Sequence, residues 1–269
     1  MFKCDQVYIQ MLISILCKLP QELEPTHGPL KPNCFIRLGK DWDGGYLVDQ
    51  AAVQAAQKLV SFGINNEWSF ESAFCNQNPV PIIAFDHSVS KRVFLRNFLV
   101  HSTFDFSPVE AYRDLSALLR YPFFFSGKNK HIRAHVGYGS VPRMLSLTKA
   151  LELATTPDEK IFLKIDVEQW EYRILEELVS QAHRITGLVI EFHHVDLNLE
   201  RIKEFIGKFP LPLIYTRANN YGHYTPHQLP LLIECTFSAY AEKLEGPFEF
   251  ASIDMQNARK LPPYQLSFE

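Results

Sequence analysis

The sequence predicts an α/β fold: a Rossmann-like, doubly wound sheet of mostly parallel strands with helices on both faces. Short apolar runs of β character alternate with segments of helical spacing, and this alternation requires crossover connections between parallel strands. The last two runs are instead joined by "RANNYGHYTPHQLP", which has no helical pattern, so they can pair as antiparallel neighbours. Five βα units followed by such a pair predict a seven-stranded sheet with one antiparallel edge strand.

The elements follow one another in a regular order. The runs of strand character are residues 58–62, 81–85, 131–136, 161–165, 188–192, 213–216 and 231–237. The segments of helical spacing between them are residues 108–119, 145–154, 168–182 and 198–209. Ahead of these, residues 7–19 predict a short amphipathic helix packed on the domain, with a membrane-surface helix as the alternative. Residues 20–32 are rich in proline and predict a linker, so we divide the chain into residues 1–32 and a domain over residues 33–269.

Composition limits the classes of partner. The chain has 269 residues, 46% of them hydrophobic and 21% charged, which suits a globular protein with a full core. A formal charge of −3 argues against binding to nucleic acid, and the longest apolar stretch near the N-terminus is too short to span a bilayer. The five cysteines are scattered and form no C-x-x-C pair, which is typical of reduced thiols. We therefore expect a cytoplasmic protein with no nucleic acid partner and no stable membrane insertion.

The turn after the first strand run has the features of a ligand site. The run ends at Phe62 and continues through Gly63 and Asn65 into a helix, and a glycine there permits close approach of a ligand to the backbone. The single glycine is not a G-x-G-x-x-G motif, which favours a ligand smaller than a dinucleotide. Asp86 ends the second run about 23 residues later, where an acid can accept hydrogen bonds from both ribose hydroxyls.

Acidic and imidazole groups end the fourth and fifth runs. Asp166 and Glu168 follow the fourth run, and Glu171 is interpreted as a charge at the start of the next helix. Glu191 and His193 are two residues apart on the fifth run, so they face the same side of the sheet. Three interpretations remain open: a general base (His193 or a carboxylate), a divalent-ion site of Asp166, Glu191 and His193, or a histidine that only orients an acid.

Taken together, these segments resemble the FkbM-type branch of class I S-adenosylmethionine-dependent methyltransferases. The resemblance extends from about Arg37 to Ser238 and rests, in order, on "RLGKDWDGGYLV", "VSFGINNEWSFE", "AFDHSV", "FLKIDVEQWEYRIL", "LVIEFHHV", "ANNYG" and "LIECTF". Two positions depart from the usual pattern: Asn65 stands where a second glycine is common, and Gln169 where FkbM-type sequences usually have glycine.

The resemblance implies a seven-stranded sheet that binds S-adenosylmethionine over the tip of the first strand. Gly63 would approach the methionine moiety, Asp86 would hold the ribose, and Val136 or Gly137 would border the adenine. The predicted cofactor-binding residues are Arg37, Gly45, Phe62, Gly63, Asn65, Asp86, His87, Val136, Gly137 and Asp166. Arg37 is proposed as a clamp for a carboxylate, the alternative being that Gly44 and Gly45 form a plain turn.

The implied activity is O-methylation of a glycan or a glycosylated small molecule. The predicted catalytic residues are His193, Asp166 and Glu168, with Mg²⁺ or Mn²⁺ as a possible second cofactor. Trp42, Trp68 or Tyr221 could stack on a sugar, although core packing is the alternative for each. Expected partners are a carbohydrate or small-molecule acceptor and, through fusion or association, glycosyltransferases. The competing hypotheses are a nicotinamide-dependent sugar oxidoreductase and a non-catalytic interaction domain of the same fold.

Overall fold

A computed structural model describes residues 14–29, 34–138 and 144–269. The strands in this part of the chain are β1 (Ile15–Leu19), β2 (His27–Pro29), β3 (Phe35–Leu38), β4 (Tyr46–Asp49), β5 (Lys58–Phe62), β6 (Ile82–Phe85), β7 (Lys130–Ile132), β8 (His135–Val136), β9 (Met144–Leu145), β10 (Ile161–Ile165), β11 (Ile185–His193), β12 (Leu213–Ala218), β13 (Leu232–Ser238), β14 (Ala241–Lys243) and β15 (Tyr264–Phe268). The α-helices are α1 (Gln50–Ala55), α2 (Ser69–Gln77), α3 (Lys91–Thr103), α4 (Pro108–Phe124), α5 (Leu147–Ala154), α6 (Leu175–Gln181) and α7 (Val195–Lys208). Short 3₁₀ turns cover Gln21–Leu23, Glu171–Arg173 and Ala182–Arg184.

Seven strands form the central sheet in the order β12-β13-β11-β10-β5-β6-β7. The pairs from β11 to β7 are parallel, and β13 is antiparallel to both of its neighbours. This sheet confirms the predicted fold class. The antiparallel strand, however, lies one place inside the edge, and β12 is the edge strand. Because β13 inserts between β12 and β11, it gives β11 a hydrogen-bonded partner on each side, and all nine residues of β11 are buried.

Most predicted elements agree with the structure, and the differences are local. The third run divides, because Lys130–Ile132 pairs with β6 whereas His135–Val136 pairs with β9. The segment predicted as a helix over residues 168–182 begins with a turn and a 3₁₀ segment before α6. Helix α3 was not among the predicted segments; the side chain of Ser90 caps it by accepting a hydrogen bond from the Val93 N–H.

The helix predicted over residues 7–19 is wrong where the structure describes it, and residues 7–13 lie outside the described part. Ile15–Leu19 form a strand that pairs in parallel with β15. The physical reason is a period of two: Cys17 and Leu19 are buried, whereas Leu16 is exposed. The predicted linker is also ordered in part, because Leu23 is buried and β2 pairs with β14.

The sheet separates two apolar layers. Leu59, Phe162 and Val189 point to the layer that contains α1 and α2, and their neighbours Val60 and Leu163 point to the opposite, larger layer. This alternation anchors the central strands, so that their carboxyl ends meet at a common edge. The four cysteines in the described ranges are free thiols. None of the helices in those ranges combines the length and the apolar character needed to cross a bilayer.

Candidate active site

A cavity of about 1160 Å³ lies beyond the carboxyl ends of β5, β6, β10 and β11. Ten of the predicted site residues line it: Phe62, Gly63, Asn65, Asp86, His87, Val136, Asp166, Glu168, Glu191 and His193. Three others, Arg37, Gly45 and Gly137, are not among its lining residues. The position agrees with the rule that ligands of open α/β sheets bind outside the carboxyl ends of the strands.

Gly63 is required by the packing of two strand ends. Its φ of +81° lies in the left-handed region, and a Cβ at this position would lie 1.7 Å from the carbonyl oxygen of Asp166. From the sequence, we attributed this glycine to the close approach of a ligand. The backbone at the tip of β10 comes close enough to exclude a side chain here by itself.

Asp86 holds the turn that follows β5. Its Oδ2 accepts hydrogen bonds from the N–H groups of Ile64 (3.0 Å) and Asn65 (2.9 Å). Its Oδ1 accepts from the N–H and the hydroxyl of Ser88. Burial alone would raise the pKa of Asp86, but these hydrogen bonds outweigh it and lower the pKa. The carboxylate is therefore ionised and fixed at the cavity, and its binding of a ribose stays a prediction.

Arg37 does not line the cavity and instead organises a neighbouring loop. Its two terminal nitrogens donate hydrogen bonds of 2.7 Å to the carbonyl oxygens of Lys40 and Trp42. Gly45 covers the guanidinium so closely that a Cβ would lie 1.7 Å from Nη1. Gly137 similarly packs against the ring of Trp170. The cofactor contacts predicted for Arg37, Gly45 and Gly137 are therefore not supported by the geometry, because other groups of the protein occupy these positions.

His193 lies at the end of β11, where Glu171 fixes its position by hydrogen bonding. The backbone N–H of His193 donates to Glu171 Oε1 at 2.7 Å, and Nδ1 lies 3.2 Å from the same oxygen. Glu171 is fully buried. Our interpretation of Glu171 as only a charge at a helix start is therefore incomplete, because its carboxylate also bonds His193. It begins a 3₁₀ turn and orients the histidine, because the turn packs directly beneath β11.

The other ring nitrogen of His193 faces the cavity carboxylates. Nε2 lies 3.4 Å from Glu168 Oε2 and 4.0 Å from Asp166 Oδ1. Burial alone would lower the pKa of His193. The hydrogen bond to Glu171 and the charges of Glu171, Glu191 and Asp166 outweigh burial and raise the pKa from 6.5 to about 9. The imidazole is therefore protonated at neutral pH.

Asp166, Glu168 and His193 could share a cation, since each offers one ligand atom and these atoms lie within 4.8 Å of one another. The sequence predicted Glu191 in place of Glu168. Glu191 instead accepts hydrogen bonds from Asn219 (3.0 Å) and from the Tyr46 hydroxyl (3.2 Å), which hold it at the side of the cavity.

Tyr46 joins two carboxyl groups that sequence reasoning treated separately. Its hydroxyl lies 3.2 Å from Glu191 Oε2 and 3.3 Å from Asp166 Oδ2, and a single O–H can donate to only one of them. Burial and the nearby charge of Asp166 raise the pKa of Glu191 well above its ordinary value. The Tyr46 hydroxyl therefore links the two carboxyl groups and donates to one of them at a time.

The family is decided by comparison of sequences. A profile of the methyltransferase FkbM domain matches residues 57–237, which include the cavity-lining ends of β5, β6, β10 and β11. The chain belongs to the FkbM methyltransferase family. It is a methyltransferase, and the family implies S-adenosylmethionine as the methyl donor.

The solved structures that match this FkbM-family chain are only distantly similar to it in sequence. No protein of curated description matches the chain. The METTL16 methyltransferase domain is 10% identical over 70% of this chain and 61% of that one, with a TM-score of 0.38, so the chain spans about three fifths of that domain. Precorrin-6y C5,15-methyltransferase from Geobacter metallireducens is 12% identical over 70% and 82%, with a TM-score of 0.38. The fibrillarin pre-rRNA processing protein of Methanococcus jannaschii is 9% identical over 70% and 68%, with a TM-score of 0.36.

Lys164 is a further group of this FkbM methyltransferase site that sequence reasoning did not include. It lies on β10, is buried, and donates a hydrogen bond of 2.7 Å from Nζ to the carbonyl oxygen of Gly63. Burial opposes its charge, but Glu71, Asp166 and Glu191 outweigh burial and raise its pKa. The sequence does contain an indication that Lys164 has a specific role. A lone lysine within the apolar run "IFLKI" is unusual in a strand buried on both faces.

Proposed function

We propose that this methyltransferase transfers the methyl group of S-adenosylmethionine to a hydroxyl group of a glycan or a glycosylated small molecule. The observation that carries the proposal is the convergence of His193, Asp166 and Glu168 on one cavity. A hydroxyl is a weak acid, so its methylation requires a group that receives the proton as the oxygen–carbon bond forms. These three acid–base groups meet that requirement, since His193 Nε2 lies 4.0 Å from Asp166 Oδ1 and 3.4 Å from Glu168 Oε2.

The cavity walls fit the donor that the family implies. Phe62, Gly63 and the ionised Asp86 line one part of the cavity, and His135, Val136 and Trp170 line another. Asp86 would face the ribose, and the second group would border the adenine. S-adenosylmethionine, when bound, supplies a methyl group activated by a positively charged sulfur.

Asp166 is the group proposed to receive the acceptor's proton at neutral pH. It is half-buried, reaches the cavity and accepts a hydrogen bond from Tyr46. His193 carries its own proton there, so it stabilises the negative charge of Asp166 rather than acting as a base. As the pH rises through about 9, His193 loses its proton and can itself accept one. Glu168, which is exposed, connects His193 to solvent.

Aromatic groups at the cavity favour a sugar-containing acceptor. Tyr221 is exposed and Trp42 half-buried, and both line the cavity, where a ring can stack on the apolar face of a sugar. Trp68, the third residue predicted for this role, is 2% exposed and packs against Phe94 in the core. The family match gives no support to the nicotinamide-dependent oxidoreductase. Binding and turnover assays separate the enzyme from the non-catalytic domain.

Isotopically labelled S-adenosylmethionine incubated with glycan extracts tests the reaction, with the methylated product identified by mass spectrometry. We expect D166N to lose most turnover, whereas H227A, an exposed histidine outside the cavity lining, serves as the unaffected control. D86N should weaken S-adenosylmethionine binding in calorimetry, while D166N should retain it. Measurable binding without any labelled product would favour the non-catalytic domain.

A divalent cation is a separate proposal about the same groups. Asp166, Glu168 and His193, the last after losing its proton to solvent, would be its ligands, and the cation would acidify the acceptor hydroxyl. Chelation with EDTA followed by addition of Mg²⁺ or Mn²⁺ tests it. Turnover that does not change on chelation contradicts the cation.

A further inference from the structure

Large apolar side chains are exposed along the helical hairpin formed by α3 and α4. We call them the hairpin surface: Leu95, Leu99, Phe104, Phe106, Val109, Tyr112, Leu119 and Phe123. Phe104 and Phe106 at the tip are 79% and 80% exposed, and Phe123 is 82% exposed. So many large apolar side chains exposed on one supersecondary unit of a folded domain indicate a binding surface.

The α4 part of the hairpin surface has a regular arrangement. Val109, Tyr112, Leu119 and Phe123 recur at helical spacing, with the polar Ser116 between Tyr112 and Leu119, and therefore lie on one side of the helix. Ala111, Asp114 and Ala117, on the other side, are buried. Helix α4 thus packs on the domain with one side and exposes apolar side chains on the other. A helix that only packs on the core does not require apolar side chains on its outer side.

Exposed positive charges accompany the apolar groups. Residues 91–124 contain five lysines and arginines and three acidic residues, whereas the whole chain has a net charge of −3. The five basic residues, all exposed, are Lys91, Arg92, Arg96, Arg113 and Arg120. Of the acids, Asp114 is buried against His101, and Glu110 is paired with Arg113. Asp105, with a side chain that is 53% exposed, is the most exposed acid of the hairpin.

We propose that the hairpin surface docks on an anionic lipid bilayer. Phe104 and Phe106 would enter the interface, and the basic side chains would meet the headgroups. Aromatic and aliphatic groups with adjacent arginines and lysines are the combination that binds such a surface. A second copy of this chain is a poorer occupant, because pairing two hairpin surfaces would place their positive charges against each other.

The location of the hairpin surface gives docking a consequence for the cavity. Tyr112, Ser116 and Arg120 of α4 also line the cavity, so the hairpin surface borders it. Docking would place this side of the cavity next to the bilayer, within reach of molecules anchored there. The inference goes beyond the proposed reaction, because lipid binding by this surface does not depend on which group is methylated.

Co-sedimentation with vesicles tests the proposal without any measurement of activity. The vesicles are phosphatidylcholine alone, or phosphatidylcholine with phosphatidylserine. We expect binding to the anionic vesicles that weakens with added salt, and little binding to the neutral ones. F104S/F106S should lower the partition coefficient by roughly tenfold or more, because each phenylalanine no longer enters the interface. L197S removes an equally exposed apolar group from α7, 77% exposed, and should leave binding unchanged.

Two further variants separate the contributions of charge and apolar area. R92E/R96E reverses charges outside the cavity lining and should remove the preference for phosphatidylserine. F123S tests the α4 part of the hairpin surface without changing the hairpin tip. Circular dichroism confirms that each variant is folded, which is expected at exposed positions. Absence of vesicle binding by the folded wild-type protein would overturn the proposal. So would a dimer in analytical ultracentrifugation that F104S/F106S disperses.

Discussion

The ammonium group of Lys164 donates a hydrogen bond of 2.7 Å to the carbonyl oxygen of Gly63. It thereby ties the tip of β10 to the tip of β5 inside the cavity wall. Nζ also lies 3.8 Å from Asp166 Oδ2, so one buried charge both holds the Gly63 turn and compensates a carboxylate.

Replacing Lys164 by methionine should destabilise the protein by about 3 kcal/mol, because the apolar side chain leaves buried acidic groups without their cation. Urea unfolding measures the loss. K149M, at an ion pair whose partners are both 58% exposed, provides the matched control and should change stability little. Equal effects of the two substitutions would contradict this account of Lys164.

Gly63→Ala should lower the free energy of unfolding by more than about 2 kcal/mol, because φ is positive and the new Cβ would displace the backbone at Asp166. Thermal and urea unfolding measure the change. Gly207→Ala is the control, since no atom lies within 4 Å of a Cβ there and the residue is within α7; alanine should be tolerated or stabilising.

Gln169→Gly should stabilise the protein by up to about 1 kcal/mol, because Gln169 has a φ of +78°, where a side chain is strained. Gln169→Val should destabilise it, since a β-branched residue fits this region less well than glutamine. Unfolding free energies of the three proteins should therefore rank Gly, Gln, Val. A different order would show that the side chain of Gln169 makes a compensating contact.

Stability should fall as the pH rises from about 6.5 to about 9, in part because of His193. Its pKa is higher in the folded protein than the ordinary value of 6.5, so the folded state holds the extra proton over this window. The contribution is complete below pH 6.5 and disappears above about 9, and we expect it to be about 1–3 kcal/mol. Unfolding of wild-type protein and of H193N across this range measures it; H193N should show a flatter dependence on pH.

The positions of the chemical groups could be predicted where they depend on strand polarity alone. Asp86, Asp166 and His193 each end an apolar run, and parallel strands bring such ends to one edge. Glu171 could not be found in this way. Its burial depends on a 3₁₀ turn in place of the expected helix start, and on the backbone N–H of His193 as its donor.

Contacts between distant segments account for the other differences. The role of Arg37 depends on the close packing of Gly45 against its guanidinium. The motif "RLGKDWDGGYLV" does not by itself reveal this contact. The hydrogen bonds of Tyr46 to Asp166 and Glu191 cross 120 and 145 positions of sequence. The period of two in Ile15–Leu19 is present in the sequence. A strand of five residues is nevertheless hard to identify when its partner, Tyr264–Phe268, lies at the other end of the sequence.

The pairing of β1 with β15 bears on how the protein folds during synthesis. Ser14 and Gln265, which extend this pairing, are 251 positions apart, so closing the contact orders nearly the entire intervening chain. Of the described strands, β1 is synthesised before all others and its partner β15 after all others. Until then Cys17 and Leu19 lack their apolar cover from Leu266, and an unpaired strand of this kind can associate with other chains. The nascent protein therefore depends on the synthesis of β15 to protect β1.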